Sequence, residues 1–370
     1  MKANPYVYPF VPFKDLSDKS FRWKLGDPQT YSVDQLKDFL NHKISFPKAK
    51  IKGKTLVEKI FNIFLNKNIL YGNPDDILVD KDLWLQRIRY FTSKNKPLQL
   101  TIHGFPFKIP CPLKSDRKLP DLGEVLSLYK LNSLLESIKS AYKPGAQVTI
   151  IGEGGFGKFV GISNKEWQNY RNFLKKLLKN LSLSNIKIVD IANLEKDKSF
   201  NKTFNKIKTK LEKLYKERNE AMVKKINGTI DSVFRIVSTR DLPIETVMDI
   251  YDEKNNDPKI VGLRREILDF ALRSVFEYHA YLMTRDELDF VNKTAPHSLP
   301  LSVSPKRGRL GVYPIAAEVD RLPYHGVPVF NSKTKEISIE YLIDIKREAK
   351  KFTPVHLQGD KDPKPFFYII

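Results

Sequence analysis

Val148-Thr149-Ile150-Ile151-Gly152-Glu153-Gly154-Gly155-Phe156-Gly157 carries a short apolar strand into a glycine-rich loop. Downstream, Trp167 to Leu181 has helical periodicity, and Ile186 to Ile191 is a second short apolar run. Strand, loop, helix and strand in that order form a β-loop-α-β unit. It implies a parallel pair joined by a right-handed crossover, and hence an α/β protein. Upstream the alternation continues. Leu98, Leu100 and Ile102 alternate with polar residues as in a strand. Leu119-Pro120-Asp121 then opens a helix, with Asp121 and Glu124 spaced as a capping box and Leu122, Val125, Leu126, Leu134 and Ile138 on its apolar face.

Further out the readings become coarser. Pro5, Pro9, Pro12 and Pro28 predict irregular chain through residue 30. Ser32 and Thr55 are placed to cap two helices, and Asp82 to Phe91 reads as a third. Residues 200–225 read as one long amphipathic helix, and Arg264 to Thr284 as another. Short strands are expected at Leu301–Val303, Leu310–Tyr313 and Val327–Phe330, then a strand and helix within 337–350 and an irregular tail.

The 370 residues, 41% hydrophobic and 29% charged, suit a globular chain of one large domain or two ordinary ones. A single cysteine, Cys111, allows no internal disulfide and fits a reducing compartment, with buried inertness as its default. No signal-peptide pattern and no run of roughly 18 apolar residues is present, so a cytoplasmic protein without a membrane span is expected. The net charge of +21 favours anionic partners of any kind. Its lysines are spread along the chain and mixed with acids, as on solvated helix faces, and no nucleic-acid-binding motif accompanies them.

The loop itself admits three readings. Gly152, Gly154 and Gly157 match the G-x-G-x-x-G spacing of dinucleotide sites, with Asp190 at the end of the next strand as the ribose carboxylate. Phe159 to Ile162 intervene before the helix, which removes the helix N-terminus from the pyrophosphate. A protein-kinase glycine loop would need His-Arg-Asp and Asp-Phe-Gly downstream, and neither occurs. The third reading is a tight turn that needs positive φ at several glycines.

Several segments together resemble the isonitrile (isocyanide) synthases of the pyoverdine and dityrosine biosynthesis family. They are Phe105-Pro106-Phe107-Lys108 with Leu119 to Glu124, Tyr142 to Ala146, Val160 to Ser163 with Tyr170, Leu301 to Val303, Leu310 to Val312, and Pro323 to Val327. The resemblance implies a Rossmann-like core at 91–330, with a parallel or mixed sheet flanked by helices. An N-terminal leader and helical segment (1–90) and a C-terminal extension (331–370) complete the expected division. It also implies an enzyme of secondary metabolism that makes a carbon–nitrogen bond. The α-amine of tyrosine or tryptophan becomes an isonitrile, with ribulose 5-phosphate as carbon donor and no metal or nicotinamide cofactor. The expected partners are therefore an amino acid and a sugar phosphate.

That chemistry needs cations for the phosphate, a base for the amine and sugar protons, and an acid to assist loss of oxygen and phosphate. Lys108, Glu153 and His325 are the candidate catalytic residues, and Lys108, Lys118, Gly154 and Gly155 the candidate phosphate-binding positions. Asp121 and Glu124 are expected to serve as helix caps. Two departures stand out. The family's Asp-Gly-Arg stretch is replaced by Glu153-Gly154-Gly155-Phe156, and its Ser-Ile-His segment after an arginine by Pro300 to Ser304. Lys306, Arg307 and Arg309 are the candidate replacement cations; His297 is the nearest histidine. The rival reading is a catalytically altered relative that binds a small anionic ligand or a protein partner.

Overall fold

The computed structural model describes residues 25–370, apart from 47, 48, 241, 305, 306, 317, 318 and 320. Strand β1 (Gln29–Tyr31) begins within the stretch expected to be irregular. Helices α1 (Val33–Lys43), α2 (Leu56–Phe64), α3 (Pro74–Leu78) and α4 (Lys81–Thr92) follow. Ser32 and Thr55 close full capping boxes with Gln35 and Glu58. Leu36, Phe39 and Leu40 of α1, and Ile60, Phe61 and Phe64 of α2, join the buried core.

Strand and helix then alternate through β2 (Leu98–Gly104), α5 (Leu122–Ala141), β3 (Ala146–Gly152), α6 (Asn164–Asn180) and β4 (Ile186–Asp190). A helical stretch comes next: α7 (Phe200–Lys216), α8 (Glu220–Thr239), α9 (Ile244–Tyr251), α10 (Pro258–Glu287) and α11 (Phe290–Thr294). The chain returns to the sheet as β5 (Leu299–Ser302) and β6 (Leu310–Gly311). These strands pair in parallel in the order β4-β3-β2-β5-β6. Counted from β2, this is the 3-2-1-4-5 order of a Rossmann-like sheet. Helices cover both faces, so even Thr101 is buried beside Leu100 and Ile102, and Val148, Ile150 and Ile151 are fully buried.

A second, mixed sheet has the order β1-β9-β10-β7-β8 and uses β7 (Val327–Phe330), β8 (Ile337–Glu340), β9 (Thr353–Leu357) and β10 (Phe367–Ile369), with α12 (Leu342–Arg347) between β8 and β9. The tail expected to be irregular therefore supplies two strands. Pro354 obscures β9 in the sequence, because a proline argues against a strand interior; here it pairs with Tyr368 of β10. The buried Arg117 clasps this segment to the start of α5. Its guanidinium donates to the Pro120 carbonyl at 3.1 Å and to Asp360 Oδ2 at 2.6 Å.

Two further readings need correction. The expected helix over 200–225 is two helices. Arg218 takes a positive φ of 55°, and the Asn219 side chain caps α8 by accepting from the Met222 N–H. The glycine loop is not an open turn but a 3-10 helix over Gly154–Val160, and within it and its flanks only Gly161 has positive φ. Its glycines serve close packing. A Cβ on Gly154 would stand 2.8 Å from Trp167 Cε3, and one on Gly157 would stand 2.9 Å from Ile162 Cβ.

Candidate active site at the switch point of the sheet

In an open parallel sheet, the loops leaving two neighbouring strands part company where the strand order reverses, and a crevice opens above the carboxyl ends. Here that place lies between β2 and β5. Ile102, His103, Gly104 and Phe105 at the end of β2 face Val303 just past β5. Ser127 and Leu131, one turn apart on α5, form the floor, and Val312 to Pro314 with Leu322 to Tyr324 complete the walls. The enclosed part of the cleft measures about 30 Å³ and opens outward at its mouth. It is mostly apolar, so it favours an apolar or aromatic group, and its polar members sit mainly at the rim.

Charged groups gather beside His103, the imidazole of the lining. His103 Nδ1 lies 3.6 Å from Glu153 Oε1, with both side chains at the carboxyl ends of adjacent strands because β2 and β3 run in register from Leu98 with Ala146 to Gly104 with Gly152. Burial lowers the pKa of Arg309, and the neighbouring Arg285 guanidinium lowers it further, while Asp286 and Glu153 oppose the shift. Arg285 is itself buried on α10 and pairs with Asp286 at 2.7 Å. Burial also raises the Tyr278 phenol, and the Glu153 carboxylate adds to that effect. His103 thus lines the cleft with Glu153 beside it, and the Arg309 and Arg285 guanidiniums stand in electrostatic reach of that carboxylate.

Beneath the wall lies a buried ionic cluster. Lys108 Nζ contacts Asp121 Oδ2, approaches Glu124 Oε2 at 3.4 Å, and donates to the Pro323 carbonyl at 3.4 Å. The Tyr170 hydroxyl donates to Glu124 Oε1 at 3.1 Å. Asp121 and Glu124 also complete the capping box of α5, so each holds the helix start and the lysine together. Burial pushes the Asp121 carboxyl well above the ordinary carboxylate range, and Lys108 opposes that push. The cluster ties the wall turn at Pro323–His325 to the first turn of α5.

The remaining candidates are dispersed. His325 occupies that 3-10 turn, edge-on to Tyr324 with ring centroids 4.8 Å apart, and is not among the residues that line the cleft. Burial, assisted by Lys114, pushes its imidazole down to about 4, so it is neutral at neutral pH. As pH falls, the unfolded chain takes up this proton first, from an ordinary value of 6.5. Urea unfolding should therefore show stability lost between about pH 6.5 and 4, and His325→Gln should flatten that dependence.

Lys118 is half-exposed, 3.7 Å from Glu166. Gly154 and Gly155 pack under Trp167 and beside Ile191 and Ala192. Arg307 is exposed and Lys306 lies outside the described residues. His297 stacks on Tyr90 at 3.9 Å just before the amino end of β5, at the far end of the strand from the cleft. Asp190, the ribose candidate, is engaged by Arg171 at 3.0 Å and by the Ala192 N–H at 2.8 Å. Cys111 is buried with Leu113 and Ile343.

His103 and Arg285 escaped the sequence reading. The signal for His103 was its position one residue past an apolar strand, where a parallel sheet delivers side chains to its crevice. Arg285 stands in the last turn of a long helix, where a basic residue is ordinary, and gives no local signal. Among the described residues, no group of three or more His, Cys, Asp or Glu is placed to hold a metal ion, and no helix is long and apolar enough to cross a membrane.

Comparison with known proteins places these features. The profile of the family described as pyoverdine/dityrosine biosynthesis protein matches residues 88–346. An L-tryptophan isonitrile synthase, AmbI2 of Fischerella ambigua, is 28% identical over 257 residues, covering 67% of this chain and 73% of that one. An L-tyrosine isonitrile synthase of Xenorhabdus nematophila is 25% identical over 253 residues, covering 66% and 72%. The crystal structure of the PvcA protein from Pseudomonas aeruginosa superposes with a TM-score of 0.62 over 85% of this chain and 100% of its own, at 18% identity, which makes it a likeness of fold.

Proposed function

The chain belongs to the pyoverdine/dityrosine biosynthesis protein family, and on that premise we propose that it is an isonitrile synthase. Its substrates in this reading are an aromatic amino acid, tryptophan or tyrosine, and ribulose 5-phosphate as carbon donor, met in the cytoplasm where sugar phosphates are made. The carrying observation is the meeting of an apolar cleft with the His103–Glu153 pair at the switch point. The aromatic side chain lies in the cleft and the α-amine faces the pair. An amine that becomes an isonitrile must give up its protons as it gains bonds to carbon. An imidazole and a carboxylate 3.6 Å apart supply a proton acceptor and a group that returns protons to departing oxygen.

Arg285 and Arg309 take the phosphate, since guanidinium forks suit phosphate oxygens and can stand in for the arginine that the glycine loop lacks. Arg307, on the same loop as Arg309, adds a solvent-side cation. Lys108 acts through the wall it anchors rather than by touching substrate. His325, neutral in its turn, serves the same wall. The test is mass spectrometry of purified protein incubated with tryptophan or tyrosine and ribulose 5-phosphate. An isonitrile product is expected. Folded protein that binds the amino acid but gives no product would instead support the rival, a ligand-binding relative without turnover.

A further inference from the structure

The cleft has a depth as well as a mouth, and the polar groups divide between them. Ile102, Phe105, Ser127, Leu131, Val312 and Pro323 supply its buried side chains. Of these six, Ser127 alone carries a polar side-chain group. His103, Tyr313 and Tyr324 are partly exposed and stand toward the mouth. A polar atom at the bottom of an apolar cleft needs a partner, and Ser127 has half of one. Its hydroxyl donates to the Gly123 carbonyl at 3.2 Å, one helical turn back. With its proton committed there, the oxygen has only lone pairs left to offer.

The placement is rigid. Ser127 sits on the second turn of α5, whose first turn is fixed by the Asp121 cap and the Lys108 cluster. Gly123, which receives the serine proton, packs so tightly that a Cβ there would lie 3.0 Å from Pro323 Cβ. The backbone that carries the hydroxyl is therefore held in place at the start of α5.

We infer that Ser127 is the specificity-determining residue of the cleft, accepting a hydrogen bond from a ring donor, an indole N–H or a phenol O–H, on an aromatic amino acid whose α-amine faces His103. The inference rests on the proposed function for the identity of the ligand. It explains one thing that function leaves open, namely how an apolar cleft separates tryptophan or tyrosine from phenylalanine. Apolar walls accept all three rings, whereas a single buried acceptor favours those that bring a donor.

The experiment has two readouts on the same protein preparations. Calorimetry measures binding of free L-tryptophan, L-tyrosine and L-phenylalanine to the wild type, Ser127→Ala and Tyr313→Phe. Turnover with ribulose 5-phosphate is followed in parallel. The wild type is expected to bind tryptophan or tyrosine more tightly than phenylalanine, and Ser127→Ala to narrow that affinity ratio about 10-fold. Which of the two is preferred identifies the ring donor. An unchanged ratio in folded Ser127→Ala overturns the inference. So does a ratio that collapses in Tyr313→Phe instead, or a wild type that binds phenylalanine equally well or binds none of the three. Selective binding that depends on Ser127 without any isonitrile product would leave the inference standing and remove the proposed function.

Discussion

Replacing Lys108 with methionine is expected to lower the unfolding free energy by about 3–5 kcal/mol, because it leaves buried carboxylates without their counter-charge. Asp121 and Glu124 are both inaccessible to solvent, and the lysine ammonium is their shared cation. Methionine fills much of the same volume, so the loss reports the charge rather than a cavity. The deficit should depend on pH in a definite direction. Burial already raises the Asp121 carboxyl above its ordinary value, and losing Lys108 removes the opposing influence. The folded variant then binds protons that the unfolded chain does not hold, so its stability falls as pH rises and recovers as pH falls. Urea titrations at pH 5 and pH 8 should show a smaller gap between variant and wild type at the lower pH. A gap that widens on acidification, or a loss under about 1 kcal/mol, would mean that the cluster does not carry the fold as its geometry implies.

His103→Ala is expected to reduce turnover by about 10²–10⁴ with little change in the unfolding midpoint, the range seen when a positioned acid–base group is removed. Glu153→Gln should fall in the same direction while keeping the shape of the mouth, since it removes the charge and little else. The pair is partly exposed, and neither residue belongs to the buried cluster, which is why stability should be spared. If the two act as a unit, the double variant should lose scarcely more than the worse single one. Additive losses would assign them separate roles. A fully active His103→Ala would remove this imidazole from the chemistry and return attention to His325.

The two experiments separate functions that the sequence ran together. A lysine after an apolar turn, as Lys108 is, is poorly explained by local packing, and the structure explains it by two acids thirteen and sixteen residues on. Those acids were legible as helix caps, and they are caps; nothing local reveals that the same oxygens also face a lysine. The α/β alternation was legible because β2 to β4 and their helices obey their periods, and the strand order then fixes where a crevice must lie. The second sheet was not legible in full, since it joins β1 to strands more than 290 residues later and its strands are three to five residues long.

The site shows the same division. Glu153 was found from its loop, while His103, Arg285 and Ser127 come from a strand end, a long helix and a helix interior. They meet only through tertiary packing. The glycine spacing does not answer to positive φ, because Gly154 and Gly157 instead allow close packing against Trp167 and Ile162.

The most direct test of the central claim is a crystal structure of the protein soaked with L-tryptophan or L-tyrosine. The ring should lie in the cleft between Phe105, Leu131 and Val303, with the α-amine at His103 and Glu153. An empty cleft in crystals that hold the amino acid elsewhere, such as the polar groove by Lys37 and Asn185, would contradict the account.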